Sequence, residues 1–196
     1  MKKAQQISLR LFVGSVLYQV VWFATVLSAG QTQRWWWGVL AVVAFMGIVH
    51  TGWPALRQRV WTMFAAAMLC GLVVDTGMIL GQIWRSPRVL MPAPLPPLWL
   101  LMLWAAFGIY IGLSLEMLYG RYRMAAFVGA IGGMLAYRGG ALLGAITWGK
   151  PEWMTVSILM LVWAIAFPAL VWVATQLRQQ ELTASVRASR MHIALM

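Results

Sequence analysis

Apolar residues in this chain come in six long runs, separated for the most part by short polar breaks. The runs are Leu9–Ala29, Trp36–Trp53, Val60–Trp84, Leu98–Tyr119, Met124–Trp148 and Trp153–Leu177. Each is close to the roughly 20 residues that a helix needs to cross the hydrocarbon core of a bilayer. The breaks include QTQR (Gln31–Arg34), RQR (Arg57–Arg59) and GRYR (Gly120–Arg123). A longer one, RSPRVLMPAPLPPL (Arg85–Leu98), holds five prolines, which preclude a continuous helix and favour an extended path. The pattern predicts an all-α, polytopic membrane protein: one bundle of six transmembrane helices over residues 1–177, then a basic, partly disordered tail over 178–196.

Composition agrees with the pattern. Of 196 residues, 62% are hydrophobic and 10% charged, with a mean hydropathy of +0.78, whereas a soluble domain is about 45–50% apolar and about 25% charged. A net charge of +11 would suggest nucleic acid in a soluble chain. Here the cations sit between apolar runs and mark topology instead, so the expected partner is the lipid bilayer and no nucleic acid. With the N-terminus inside, ten Lys and Arg fall on the cytoplasmic side (Lys2, Lys3, Arg10, Arg57, Arg59, Arg121, Arg123, Arg178, Arg187, Arg190) and four on the other (Arg34, Arg85, Arg88, Lys150). Both termini are therefore expected in the cytoplasm. Lys2 and Lys3 before an apolar stretch ending in SAG also suit a signal peptide, but the first run exceeds the about 7–15 residues of such a segment. Most tryptophans stand at run ends, as interfacial belts do, Trp84 and Trp99 among them; Trp22, Trp104, Trp163 and Trp172 stand inside.

Little is left for chemistry. The chain has four acids (Asp75, Glu116, Glu152, Glu181) and two histidines (His50, His192). A bis-histidine haem would need a second intramembrane histidine, and the common hydrolase, metalloprotease, redox and nucleotide motifs are absent, so no cofactor or metal is expected. Cys70 reads as a small buried hydrophobe. Rising about 1.5 Å per residue, Asp75 lies about 22 Å and Arg138 about 21 Å from the cytoplasmic starts of their helices. At matched depth they are candidates to neutralise one another. Gly71, Asp75, Met78 and Gln82 share one stripe of the third helix, and Gly108, Gly112 and Glu116 one stripe of the fourth. His50 and Glu116 lie within about 5–10 Å of the cytoplasmic boundary, as a second, shallower candidate cluster. Gly129, Gly133, Tyr137, Gly140 and Gly144 recur at helical spacing, which predicts close helix packing and a central fifth helix. Each candidate has a plainer reading. A structural ion pair accounts for Asp75 and Arg138 as well as a substrate or proton site does, His50 suits an interface, and Glu116 can reach the headgroups.

YQVVWF (Tyr18–Phe23), GLVVDTGMILG (Gly71–Gly81), PLWLLMLW (Pro97–Trp104) and GAIGGMLAYRGGALLGA (Gly129–Ala145) resemble, in order and spacing, the DUF2878 family of small bacterial membrane proteins. At Met134 and Arg138 the chain departs from that pattern, which has a proline and an apolar residue there. The resemblance implies an uncharacterised, multi-pass bacterial inner-membrane protein, with genes of this kind often near cyclopropane-fatty-acid-synthase-like enzymes and oxidative-stress regulators. Three roles follow as expectations. The first is an accessory or enzymatic component of membrane-lipid (fatty-acid) modification or lipid-stress response, with lipid-modifying enzymes as partners. The second is a small-solute or lipid transporter acting as a homo-oligomer, since six spans are few for alternating access. The third is a structural partner of other membrane proteins.

Overall fold

The computed structural model describes residues 2–30, 36–87 and 94–194; the break Gln31–Arg34 and the stretch 88–93 of the proline-rich segment, Arg88 included, lie outside them. Six helices carry the fold: α1 (Lys2–Gly30), α2 (Trp36–Gly52), α3 (Arg57–Leu80), α4 (Leu98–Ser114), α5 (Tyr122–Leu142) and α6 (Glu152–Ala194). The architecture is all-α, as the periodicity predicts. Among the described residues, four helices are long and apolar enough to cross a membrane. α2 and α4 are apolar and have 17 residues each, about 25 Å of helix, at the short end of what a bilayer core needs. Bulky apolar side chains point outward on several helices, with Phe12 69%, Val73 74%, Ile165 73% and Leu142 81% exposed. Such a surface suits hydrocarbon and not water.

α3 and α5 end the same way. In each, a residue with positive φ (Gln82 at 53°, Gly144 at 77°) follows the last turn. The Ile83 N–H then donates to the Met78 carbonyl, and the Ala145 N–H to the Gly140 carbonyl, both at 2.9 Å. This is the left-handed closure that satisfies the orphan carbonyls of a helix end. The two exits meet as a short antiparallel pair, β1 (Trp84–Arg85) with β2 (Thr147–Trp148), in the register Trp84 opposite Trp148. The pair ties the ends of α3 and α5 together and drives the Trp84 ring fully inside.

The helix at the centre is α4, not α5. It packs against α1, α2, α3 and α6, and thirteen of its seventeen residues are buried. A helix that is apolar all round is the one a bundle buries on every side. α5 packs chiefly on α6. The α5 glycine stripe divides accordingly. A β-carbon on Gly129 or Gly133 would run into Phe167 or the Trp163 ring, so these two allow the α5–α6 approach. Gly140 is buried beside Ile146, while Gly144 lies beyond the helix and serves its closing turn.

Candidate functional site

Asp75 is fully buried on α3, and its carboxylate is held by hydrogen-bond donors from two other helices. Trp104 on α4 donates its indole N–H to Oδ2 at 2.7 Å, and Tyr137 on α5 donates its hydroxyl to Oδ1 at 2.5 Å. Gly71, one turn earlier on α3, makes room for this arrangement, since any β-carbon there would enter the Trp104 ring. The expected ion pair is absent. Arg138 lies on the outer side of α5, half exposed, and its Nε pairs with Glu152 at the start of α6 at 3.1 Å. Tyr137 and Arg138 are neighbours in sequence and therefore about 100° apart around α5, so only one of them can face Asp75. Gln82 also leaves the expected stripe. α3 has ended before it, and its amide oxygen accepts from Arg85 at 3.1 Å on the exposed side.

Around the Asp75 donors the structure gathers aromatic rings. Trp104 stacks on Trp163 with centroids 4.7 Å apart and planes 7° from parallel. Phe107 and Tyr137 meet Trp163 edge-on, and Trp84 meets Tyr137 the same way. Trp104, Phe107, Tyr137 and Trp163, with Tyr18, Trp22 and Trp99, line a chamber of about 490 Å³ of empty space, counting its open mouth. Among the described residues no Lys or Arg lines it. Trp163 is 7% exposed, and its indole N–H has no hydrogen-bond partner among the described residues.

The chamber runs on into a larger cleft between α1 and α5. Tyr18, Trp22, Phe107, Ala136 and Trp163 line both spaces. The cleft, about 1120 Å³ including its open side, has Tyr18, Gln19 and Trp22 on one wall and Val128, Gly132 and Leu135 on the other, over Phe107 and Phe167. At the β1–β2 end α1 and α5 touch: Trp22 lies against Gly139, and Gly30 against the backbone from Leu143 to Ala145. Toward the opposite end the cleft separates them. A Cβ on Gly132 would meet nothing within 4 Å.

A second polar assembly sits at that opposite end. Arg59 on α3, its side chain 0% exposed, reaches Glu116 Oε1 at 2.8 Å through Nη1 and Glu181 Oε1 at 3.2 Å through Nε. Arg10 on α1 adds a contact to Glu116 at 3.4 Å, Arg178 one to Glu181 at 3.4 Å, and the Tyr119 ring lies 6.0 Å from the Arg59 guanidinium. Glu116 belongs to the 3-10 turn Glu116–Leu118, just past α4. Burial pushes its carboxyl up, but the hydrogen bond and charge of Arg59, with Arg10 and Arg178, outweigh this and hold it below its ordinary value. His50 is not part of the cluster. Its Nδ1 accepts from the Trp61 indole at 3.2 Å, and its carbonyl accepts from Arg57.

Of the residues singled out from sequence, Asp75 and Tyr137 come together, Arg138 and Gln82 turn away from Asp75, and Glu116 of the second, shallower cluster meets Arg59 while His50 meets Trp61. Trp84 and Trp99 are 0% and 4% exposed, within the core and not in an interfacial belt. Sequence reasoning missed the chamber; the signal that could have found it is the set of inner tryptophans, since Trp22, Trp104 and Trp163 line it, whereas Trp172 faces outward. Arg59 read only as a topology marker. A family model described as "Protein of unknown function (DUF2878)" matches residues 11–169, a stretch that contains the whole chamber. No curated protein and no solved structure matches the chain.

Proposed function

The chain belongs to the DUF2878 family of proteins of unknown function, and from its geometry we infer that it is a membrane protein that seats a lipid in the cleft between α1 and α5. We propose that this serves membrane-lipid modification or the response to lipid stress in a bacterial inner membrane. The observation that carries the reading is the lateral cleft, mainly apolar with Gln19 and Tyr110 as its polar points, and continuous with the aromatic chamber. Along α5 it extends with the chamber from Val128 to Gly140, about 18 Å of helix, against about 15 Å for the hydrocarbon of one leaflet. Within a bilayer the medium bordering such an opening is acyl chain.

The test is native mass spectrometry of the protein released from membranes in mild detergent, beside the variant Gly132→Phe. The new ring would stand in open space in the cleft, so it should occlude the seat and leave the bundle folded. Retained lipid in the parent and its loss in the variant are the expected results. Equal retention in both would remove the cleft as the seat, and no retention above that of an unrelated membrane protein would end the lipid reading. Movement of the lipid between vesicles carrying the protein would shift the role from accessory component to transporter.

A further inference from the structure

The two ends of the cleft differ in shape and in charge. At the β1–β2 end α1 and α5 are in contact, Trp22 against Gly139 and Gly30 against the backbone from Leu143 to Ala145. At the other end the floor of the cleft is Leu115 and Leu118. Arg10 of α1 reaches Glu116, the neighbour of Leu115, and the Arg121 N–H donates to the Leu118 carbonyl at 2.9 Å, so a cation flanks the floor from each wall. Arg121 stands seven residues before Val128, on the same face of α5 as the cleft lining and about 10 Å below it. Arg121 and Arg123 are both exposed, and among the described residues neither has a carboxylate to pair with. The chain has four acids, and all are engaged elsewhere: Asp75 by Trp104 and Tyr137, Glu116 by Arg59 and Arg10, Glu152 by Arg138, and Glu181 by Arg59 and Arg178. At this end Arg10, Arg59, Arg121, Arg123 and Arg178 therefore face only Glu116 and Glu181, which leaves an excess of positive charge at the foot of the cleft.

Unpaired cations below an apolar, open-sided cleft suit a ligand with a negative head and a hydrocarbon chain. Resting on the lipid reading, we propose that the occupant is an anionic phospholipid, its phosphate at Arg121 with Arg123 and Arg10 beside it and an acyl chain along the cleft toward the chamber. The dimensions agree. The about 10 Å between Arg121 and Val128 takes the phosphate and glycerol, and the about 18 Å from Val128 to Gly140 takes the chain. A free fatty acid has no such spacer and would leave the lower stretch unfilled. The reverse orientation would carry the head to the end where α1 and α5 touch and where no Lys or Arg among the described residues lines the chamber. With the orientation that the charge count gives, the lipid comes from the cytoplasmic leaflet.

The purified full chain in an uncharged detergent is titrated with phosphatidylglycerol and with phosphatidylcholine of the same chain length, and occupancy is read by native mass spectrometry. Phosphatidylglycerol should bind about tenfold more tightly, the scale that one or two arginines near an anionic headgroup supply. The pair Arg121→Gln and Arg123→Gln should bring phosphatidylglycerol down to the level of phosphatidylcholine and leave phosphatidylcholine unchanged. Removing two charges at the far end instead, with Arg85→Gln and Lys150→Gln, should leave the preference intact. Both Arg121 and Arg123 are exposed, so their variant should melt like the parent. Should it not, Gly132→Phe takes its place, since it keeps every arginine and should lower phosphatidylglycerol binding at least about tenfold by closing the cleft to the chain. Equal affinity of the parent for the two lipids would overturn the anionic seat and leave the lipid reading standing. A preference that survives the Arg121 and Arg123 changes, or falls equally with the far-end pair, would mean attraction by net charge alone and would likewise overturn the seat. Phosphatidylglycerol binding untouched by Gly132→Phe would place the lipid outside the cleft, and binding of neither lipid would overturn both readings.

Discussion

Asp75 is satisfied by donors and not by an opposite charge, and this decides which neighbouring substitutions matter. Tyr137→Phe removes one of the two hydrogen bonds to a buried carboxylate and should cost about 1.5–3 kcal/mol. Arg138→Gln, which breaks a half-exposed pair with Glu152, should cost under about 1 kcal/mol. Thermal unfolding in detergent separates the two, and an Arg138 variant as damaged as the Tyr137 variant would contradict the geometry. Glu116 makes a different case. Its carboxyl is held below its ordinary value by the arginines around it, so its contribution is complete above the carboxyl's unfolded value, about 4.3, and is lost as pH falls through the lower folded one. Glu116→Gln should therefore melt well below the parent at neutral pH, by up to about 3–5 kcal/mol and nearer the low end because Glu181 still pairs with Arg59. The gap should close below about pH 4. A gap that persisted unchanged in acid would show that the stabilisation is not carried by the charge. From sequence, both acids stood out simply by being charged in apolar surroundings. Their partners did not, because a partner depends on which helices are neighbours and how each is rotated.

Helices in this protein approach one another where glycines remove side-chain bulk, but the glycines of a stripe are not equivalent. Gly133 faces the Trp163 ring and Gly132 faces open space. Gly133→Ala should force Trp163 or α6 to shift, at a cost of about 1–3 kcal/mol. Gly132→Ala should raise the melting temperature, since alanine is the better helix former by about 1 kcal/mol. Paired melting curves check this, and two variants with the same response would mean that the α5–α6 contact is not as described. The repeat of small residues was legible in the sequence as a packing device. Its partner, α6, was not, and neither was the end of the stripe, because the left-handed turn at Gly144 depends on where the helix closes. The same holds for Gln82, which helical spacing alone kept on the Asp75 face.

For the whole molecule, the expected orientation follows from charge. The Arg59 network and the β1–β2 pair lie at opposite ends of the bundle, since one stands at the start of α3 and the other follows its end. With six crossings, reporters fused after Leu56 and at the end of α6 should both report the cytoplasm, and a reporter at Lys150 the opposite side. A reporter after α6 on the side of Lys150 would remove one crossing from the count, with α2 and α4 the helices to reconsider, at 17 residues each.

Sequence by itself determined that this is an all-α membrane protein and that its buried polar groups are few, because run length and composition are local properties that the bilayer selects directly. It also marked Asp75, the inner tryptophans and the glycine repeats as exceptional. Only the tertiary structure decided that α4 and not α5 is central, that Tyr137 and Trp104 hold Asp75, and that Arg138 turns outward to Glu152. Six apolar helices of similar length can be ordered and rotated in many ways with nearly the same burial of apolar surface. What selects one arrangement is the fit of a few groups, such as the Trp104 ring over Gly71 and the Trp163 ring over Gly133, and such a fit exists only between segments far apart in the chain.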